Sequence, residues 1–268
     1  MKDVAILFLL QMILTAGSTV AAGLFIRGCK QLLVRACGKY APQIVNGAGI
    51  IGTPVHELSH AAMCIVFRHK IKRIKLFGID KNSSTLGFVE HSFSRHSLWQ
   101  RAGNFFIGVA PVVAGSAVLL LLLRLFLPDT FTAVQHSLSV VAQSSLSTET
   151  IGQFLHTVVS VFRIIFDASH FSSWKFWVFV VIAMTIAIHM DLSTADIKGG
   201  ANGFIFYALG FLLVDIALYF LNPAWLQSFT NLILRGGFFM TSLLVMSVVF
   251  AGAAGILSAI VLLIKKLF

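Results

Sequence analysis

Between residues 104 and 127 the only charged residue is Arg124, and comparable apolar runs recur along the chain. A helical run of about 20 apolar residues matches the roughly 30 Å of bilayer hydrocarbon. Such runs restrict the chain to a membrane-spanning fold. A β-barrel would show short alternating segments, and these runs are solidly apolar. With 57% hydrophobic and 11% charged residues, 268 residues carry too little charge to cover a soluble domain. The expected fold is an all-α polytopic membrane protein, one membrane domain over residues 1–268, with about six transmembrane helices and a small β-hairpin.

The formal net charge of +10 raises nucleic acid as a partner. No nucleic-acid motif accompanies it, and in a membrane protein basic loops set topology and meet anionic headgroups. Nucleic acid is therefore not expected. Three cysteines are too few for a disulfide framework. Cys29 and Cys37 flank a basic segment and form a pair to test; packing is the expected role of Cys64. The first 25 residues have some signal-peptide character, but the charged start is weak and the apolar run long, so an uncleaved span is expected.

The expected spans are 4–26, 44–67, 104–127, 174–190, 203–221 and 237–264. Residues 27–43, with Arg27, Lys30, Arg35 and Lys39, read as a polar connection holding a short interfacial helix. Thr53-Pro54, after Gly47, Gly49 and Gly52, matches an N-cap followed by a helix-starting proline and predicts a break there. Pro111 predicts another break. Residues 71–93 read as a hairpin, with its turn at Asp80-Lys81-Asn82-Ser83-Ser84. Residues 128–173 read as a polar connection whose amphipathic part, 150–166, is either an interfacial helix or a gate over a site. Asp215, inside a span, is expected to pair with a polar or basic neighbour such as Arg124. Ala251-Gly252-Ala253-Ala254-Gly255 reads as a close-packing surface.

The second expected span contains His56-Glu57-Leu58-Ser59-His60, the pattern H-E-x-x-H. On a helix, positions i and i+4 share a face, so two imidazoles can reach one metal ion. The glutamate can then act as general base toward a water. With only three glutamates in the chain, this spelling is expected by chance on the order of once in several hundred such chains. The milder alternative is a packed histidine pair with a fortuitous glutamate.

A membrane-buried H-E-x-x-H, a basic hairpin after it and an aspartate beyond a later span resemble the site-2 protease family of intramembrane zinc metalloproteases. In that family a second motif, N-x-x-P-x-x-x-L-D-G, supplies the third zinc ligand. Here the matching stretch is His189-Met190-Asp191-Leu192-Ser193-Thr194-Ala195-Asp196-Ile197-Lys198-Gly199-Gly200. Ala195-Asp196 stands in place of Leu-Asp, the glycines come two residues late, and the motif's asparagine and proline have no counterpart. The likeness covers residues 44–200 in order and spacing, leaving 1–43 before that core and two spans in 201–268 after it.

The resemblance implies that His56, His60 and Asp196 hold Zn²⁺, with Glu57 as catalytic base. Asp191 and His189, close by in sequence, are the alternatives for the third ligand. It further implies a membrane-anchored protein substrate, cleaved at or within the lipid bilayer, and a multi-pass protein of the cell membrane. An exposed hairpin edge would hold the unwound substrate strand. Rival readings are a zinc hydrolase of lipid-linked or small amides and a non-enzymatic transporter or assembly protein.

The dense basic stretch at the start of 68–103 places that loop in the cytoplasm, and six spans then put both termini inside. Residues 27–43 would then face outward with four basic residues and no acidic one. Either that segment is an exception, or the first span inserts the other way and 44–67 does not fully cross.

Overall fold

A computed structural model describes residues 2–79, 85–143 and 150–267. About 85% of the chain is helical. The helices are α1 (Lys2–Met12), α2 (Ser18–Cys37), α3 (Ala41–Val66), α4 (Leu98–Phe126), α5 (Pro128–Ala142), α6 (Thr150–Ile165), α7 (Trp174–Ala187), α8 (Thr194–Leu221) and α9 (Pro223–Leu267). A π-helical turn, Ile13–Gly17, joins α1 to α2, and a 3₁₀ turn, Gly38–Tyr40, joins α2 to α3. Gly38 ends α2 at φ 54°, a left-handed conformation that glycine adopts without the Cβ clash.

Among the described residues, five helical stretches are long and apolar enough to cross a membrane: Val4–Val66, Leu98–Phe126, Thr150–Ser172, Thr194–Leu221 and Pro223–Leu267. The chain is a helical membrane protein. Large apolar side chains stand in the open on these helices, such as Phe220 at 74% exposure and Leu213 at 66%. Surface of that kind is stable against lipid and not against water.

The span count differs from the expected six. The first two expected spans merge into Val4–Val66, because α2 carries helix through Arg27, Lys30 and Arg35, and only the short 3₁₀ turn with Lys39 separates it from α3. The expected fourth span holds only a 14-residue helix, Trp174–Ala187. The stretch Thr150–Ser172, expected as part of a connection, is long enough to cross. Its α6 packs on α5 and α9. Thr157, Val161 and Ile165 are buried, and the last two join the main core.

Neither proline breaks its helix. Pro54 lies inside α3 and Pro111 inside α4. Tertiary packing overrides the local preference. At Gly52, for instance, a Cβ would come 2.5 Å from the carbonyl of Thr185, so α3 is held against α7 along the run expected to unwind.

The main core gathers Ile26, Leu119, Leu123, Val134, Phe176, Phe179 and Phe250 from α2, α4, α5, α7 and α9. A smaller core joins α1, α4 and α8 through Met12, Phe105, Val109 and Tyr207. The small-residue surface of α9 packs on α2, where a Cβ on Gly255 would meet Cys29 Sγ at 3.0 Å. Cys29 and Cys37 are both free. They sit eight residues apart on one helix, about 12 Å along its axis, beyond the reach of a disulfide. Asp215 is paired by Gln11, whose Nε2 donates to its Oδ1 at 3.2 Å, and not by Arg124. The Arg124 guanidinium instead lies 5.9 Å from the centre of the Phe131 ring.

The hairpin consists of β1 (Lys70–Lys75) and β2 (Phe88–Ser92), antiparallel with Ile74 opposite Val89 and an irregularity between Ile71 and Arg73. The expected turn at 80–84 lies outside the described residues.

Candidate metal centre

The helix α3 sets His56 and His60 one turn apart, and their Nε2 atoms stand 3.0 Å from each other. Each ring is oriented from behind. His56 Nδ1 donates to the carbonyl of His189 at 2.7 Å, and His60 Nδ1 donates to the carbonyl of Ile107 at 2.7 Å. A carbonyl only accepts, so the Nδ1 atoms carry the hydrogens. In the neutral rings both Nε2 atoms then present lone pairs to each other. Two lone pairs at that distance repel unless a cation or proton lies between them.

Both orienting carbonyls have local causes. Pro111 has no N–H, so Ile107, four residues earlier on α4, lacks its helical donor. His60 takes that carbonyl. His189 lies just past the end of α7, where carbonyls lack intrahelical partners, and His56 takes one.

Asp196 completes the group. Its Oδ1 is 3.2 Å from His60 Nε2 and its Oδ2 is 3.7 Å from His56 Nε2. It belongs to the first turn of α8, a helix that starts at Thr194, ahead of the expected span 203–221. The reason is a capping box. Ser193 Oγ accepts from the Asp196 amide at 3.1 Å, and Asp196 Oδ2 accepts from the Ser193 amide at 2.8 Å. One carboxylate oxygen is thus tied to the helix start while the other faces the histidines.

Glycine sets the depth of α8. A Cβ on Gly203 would overlap the amide nitrogen of Phe105, and one on Gly108 would meet the Asp196 carbonyl at 2.7 Å. Only backbone-to-backbone contact between α4 and α8 brings Asp196 to α3.

The other two candidate ligands stand outside this group, and the buried Nε2 of His189 has no hydrogen-bond partner among the described residues. Asp191 pairs with Lys30 at 2.6 Å. His189 Nδ1 bonds the Thr185 carbonyl at 2.8 Å, and its own carbonyl serves His56. Both line a smaller pocket of about 250 Å³ on the far side of His56 and Glu57.

Glu57 lies beside the three-residue group, 7% exposed, on the wall of a cleft of about 450 Å³. The opposite wall carries Phe88, Val89, His91 and Phe93, from and just beyond β2. Gly87, leading into β2, lies against Glu57, where a Cβ would come 2.8 Å from Glu57 Cγ.

A nitrogen–nitrogen–carboxylate set of this kind suits Zn²⁺. Metal–nitrogen bonds of about 2.0–2.1 Å in a tetrahedron separate nitrogens by roughly 3.3 Å, close to the spacing here. Sequence reasoning missed Ser193, Gly87 and the Pro111–Ile107 pair. The S-x-x-D spacing of Ser193 and Asp196 is a readable cap signal. The contact of Gly87 with Glu57 has no local signal. Comparison with protein-family models, curated proteins and solved structures finds no match for this chain.

Proposed function

We propose that this chain is an intramembrane zinc metalloprotease that hydrolyses peptide bonds of membrane-anchored proteins at or within the bilayer. The observation that carries the reading is the convergence of His56 Nε2, His60 Nε2 and the Asp196 carboxylate beside Glu57, in a cleft walled by a β-strand. His56, His60 and Asp196 would hold Zn²⁺, leaving a coordination position open. When bound, the ion supplies Lewis acidity, polarising a carbonyl and bringing the pKa of a water toward 7.

The chain's own residues do the rest. Glu57 takes a proton from the attacking water as its oxygen bonds the scissile carbonyl carbon. Glu57 returns that proton to the amide nitrogen as the C–N bond breaks. The carbonyls of His189 and Ile107 hold the two imidazoles in their ligating tautomer. A helical substrate has its carbonyls occupied and must be unwound first. In a two-stranded sheet each strand has one unpaired edge, and β2 beside the cleft can receive an extended segment by strand addition.

One observation favours a second reading, hydrolysis of a lipid-linked amide. An apolar groove of about 400 Å³, bounded by α1, α4 and α8, reaches Asp196. Its apolar lining suits an acyl chain. The deciding experiment compares membranes carrying wild type and Glu57→Gln. Protein fragments released only by the wild type support the protease. Accumulation of a lipid amide in the variant, with no protein difference, supports the second reading. No difference in either, with no metal in the purified protein, overturns both.

A further inference from the structure

Cys64 follows His60 by one further turn of α3, about 6 Å along the axis. The end of that helix is a Schellman stop. Arg68 sits at φ 57°, its amide bonds the Ile65 carbonyl at 3.1 Å, and the His69 amide bonds the Cys64 carbonyl at 2.8 Å. In this motif the residue after the left-handed position folds back on the residue five before it, a place commonly filled by two apolar side chains. Here the pair is Cys64 and His69, both buried. The hairpin adds His91, opposite Ile71 in the register.

We propose that Cys64 Sγ and one ring nitrogen each of His69 and His91 form a second transition-metal site of the zinc class, separate from His56, His60 and Asp196. One ligand atom from each of the three residues lies within 4.8 Å of those of the other two. His69 Nε2 donates to the carbonyl of Gln100 at 2.8 Å, so the neutral ring keeps a lone pair on Nδ1. That lone pair faces His91 Nδ1 at 3.0 Å. Metal-ligating histidines are held in this way, with the other ring nitrogen on a carbonyl. The Gln100 side chain reinforces the arrangement, donating to the Arg68 carbonyl at 3.0 Å and accepting from the Ser94 amide at 2.6 Å.

One thiolate and two imidazoles suit Zn²⁺ and exclude the hard ions. A metal here ties β2 to the end of the motif helix and to the start of α4. It thereby fixes the strand that walls the cleft. Without a metal, the same groups form a histidine–histidine hydrogen bond next to a buried thiol.

The test uses full-length protein in detergent, stripped with a chelator and loaded with Co²⁺. The expected result is about two Co²⁺ per chain and a thiolate-to-cobalt charge-transfer absorption in the near ultraviolet. Cys64→Ser should remove that absorption and one equivalent. His56→Ala should remove one equivalent and leave the absorption, so failure of the first site is distinguishable from failure of this one. A variant carrying both Cys29→Ser and Cys37→Ser should keep it. Where Cys64→Ser does not fold, His91→Gln should lower the count by one and alter the band. No thiolate absorption in wild type, or absorption that survives Cys64→Ser, overturns the proposal.

Discussion

His60 Nδ1 is bonded at 2.7 Å to the carbonyl of Ile107, which Pro111 deprives of a helical partner. A helix defect on α4 thus orients a side chain on α3. Pro111→Ala supplies an amide that competes for this carbonyl. The expected outcome is a split: unchanged or higher thermal stability, because an interior proline costs a helix about 3 kcal/mol, together with metal affinity lower by about 10-fold. Thermal unfolding and a competitive zinc titration on one preparation check both halves. Equal affinity in the two proteins would remove the orienting role.

Asp196→Ala should lose the first metal outright, since it deletes the one carboxylate of the proposed ligand set. Asp191→Ala should retain it, because that carboxylate is occupied by Lys30 at 2.6 Å. His189→Ala keeps the carbonyl that holds His56 and should weaken binding by no more than about 10–100-fold. Metal content and affinity across the three variants give the ranking. Normal binding in Asp196→Ala would exclude it as a ligand.

Ser193→Ala removes the oxygen that caps the Asp196 amide at 3.1 Å. Loss of such a cap costs about 0.5–2 kcal/mol, and the freed first turn should loosen the metal by about 10-fold. Ser193→Asp should restore both, since aspartate caps equally well. Urea-dependent unfolding with a parallel zinc titration measures the pair.

Gly87→Val forces the chain leading into β2 away from Glu57, because the first added carbon already lies 2.8 Å from Glu57 Cγ. Metal content should be unchanged while turnover falls by about 100-fold, the scale of an ångström misplacement at a reacting centre. A single-turnover assay on metal-loaded protein distinguishes this from loss of the ion.

Gly203→Val sets a side chain where the Phe105 backbone already lies. Backbone cannot swing aside as a long side chain can, so α8 must move off α4. Destabilisation at or above the roughly 1–3 kcal/mol of ordinary overpacking is expected, with loss of the first metal as Asp196 withdraws. Retained metal at wild-type affinity would show that α8 is not what places Asp196.

How much of this was legible beforehand depends on the range of the interaction. The apolar runs declare spanning helices because bilayer thickness acts on local composition. The H-E-x-x-H spacing declares a shared face because helix geometry is local too, and the Asn222-Pro223 break between α8 and α9 is local in the same way. The breaks expected at Pro54 and Pro111 did not occur, since a lost hydrogen bond is small beside the burial of the whole helix against its neighbours. The mistaken start of α8 was avoidable, because Ser193 and Asp196 spell a cap.

Local signals along the chain suffice for a helical membrane protein, a histidine pair on one face with a glutamate beside it, and a hairpin following. It took the folded chain to bring Asp196, and neither Asp191 nor His189, into one group with His56 and His60, because the three are equivalent at the level of chain position. That choice rests on glycine contacts between α4 and α8 and on Lys30, which joins Asp191 from 161 residues away. The fold likewise decided that Cys64, His69 and His91 meet, because a helix stop and a strand register bring them together. Such contacts are set by packing between distant segments, and no local periodicity encodes them.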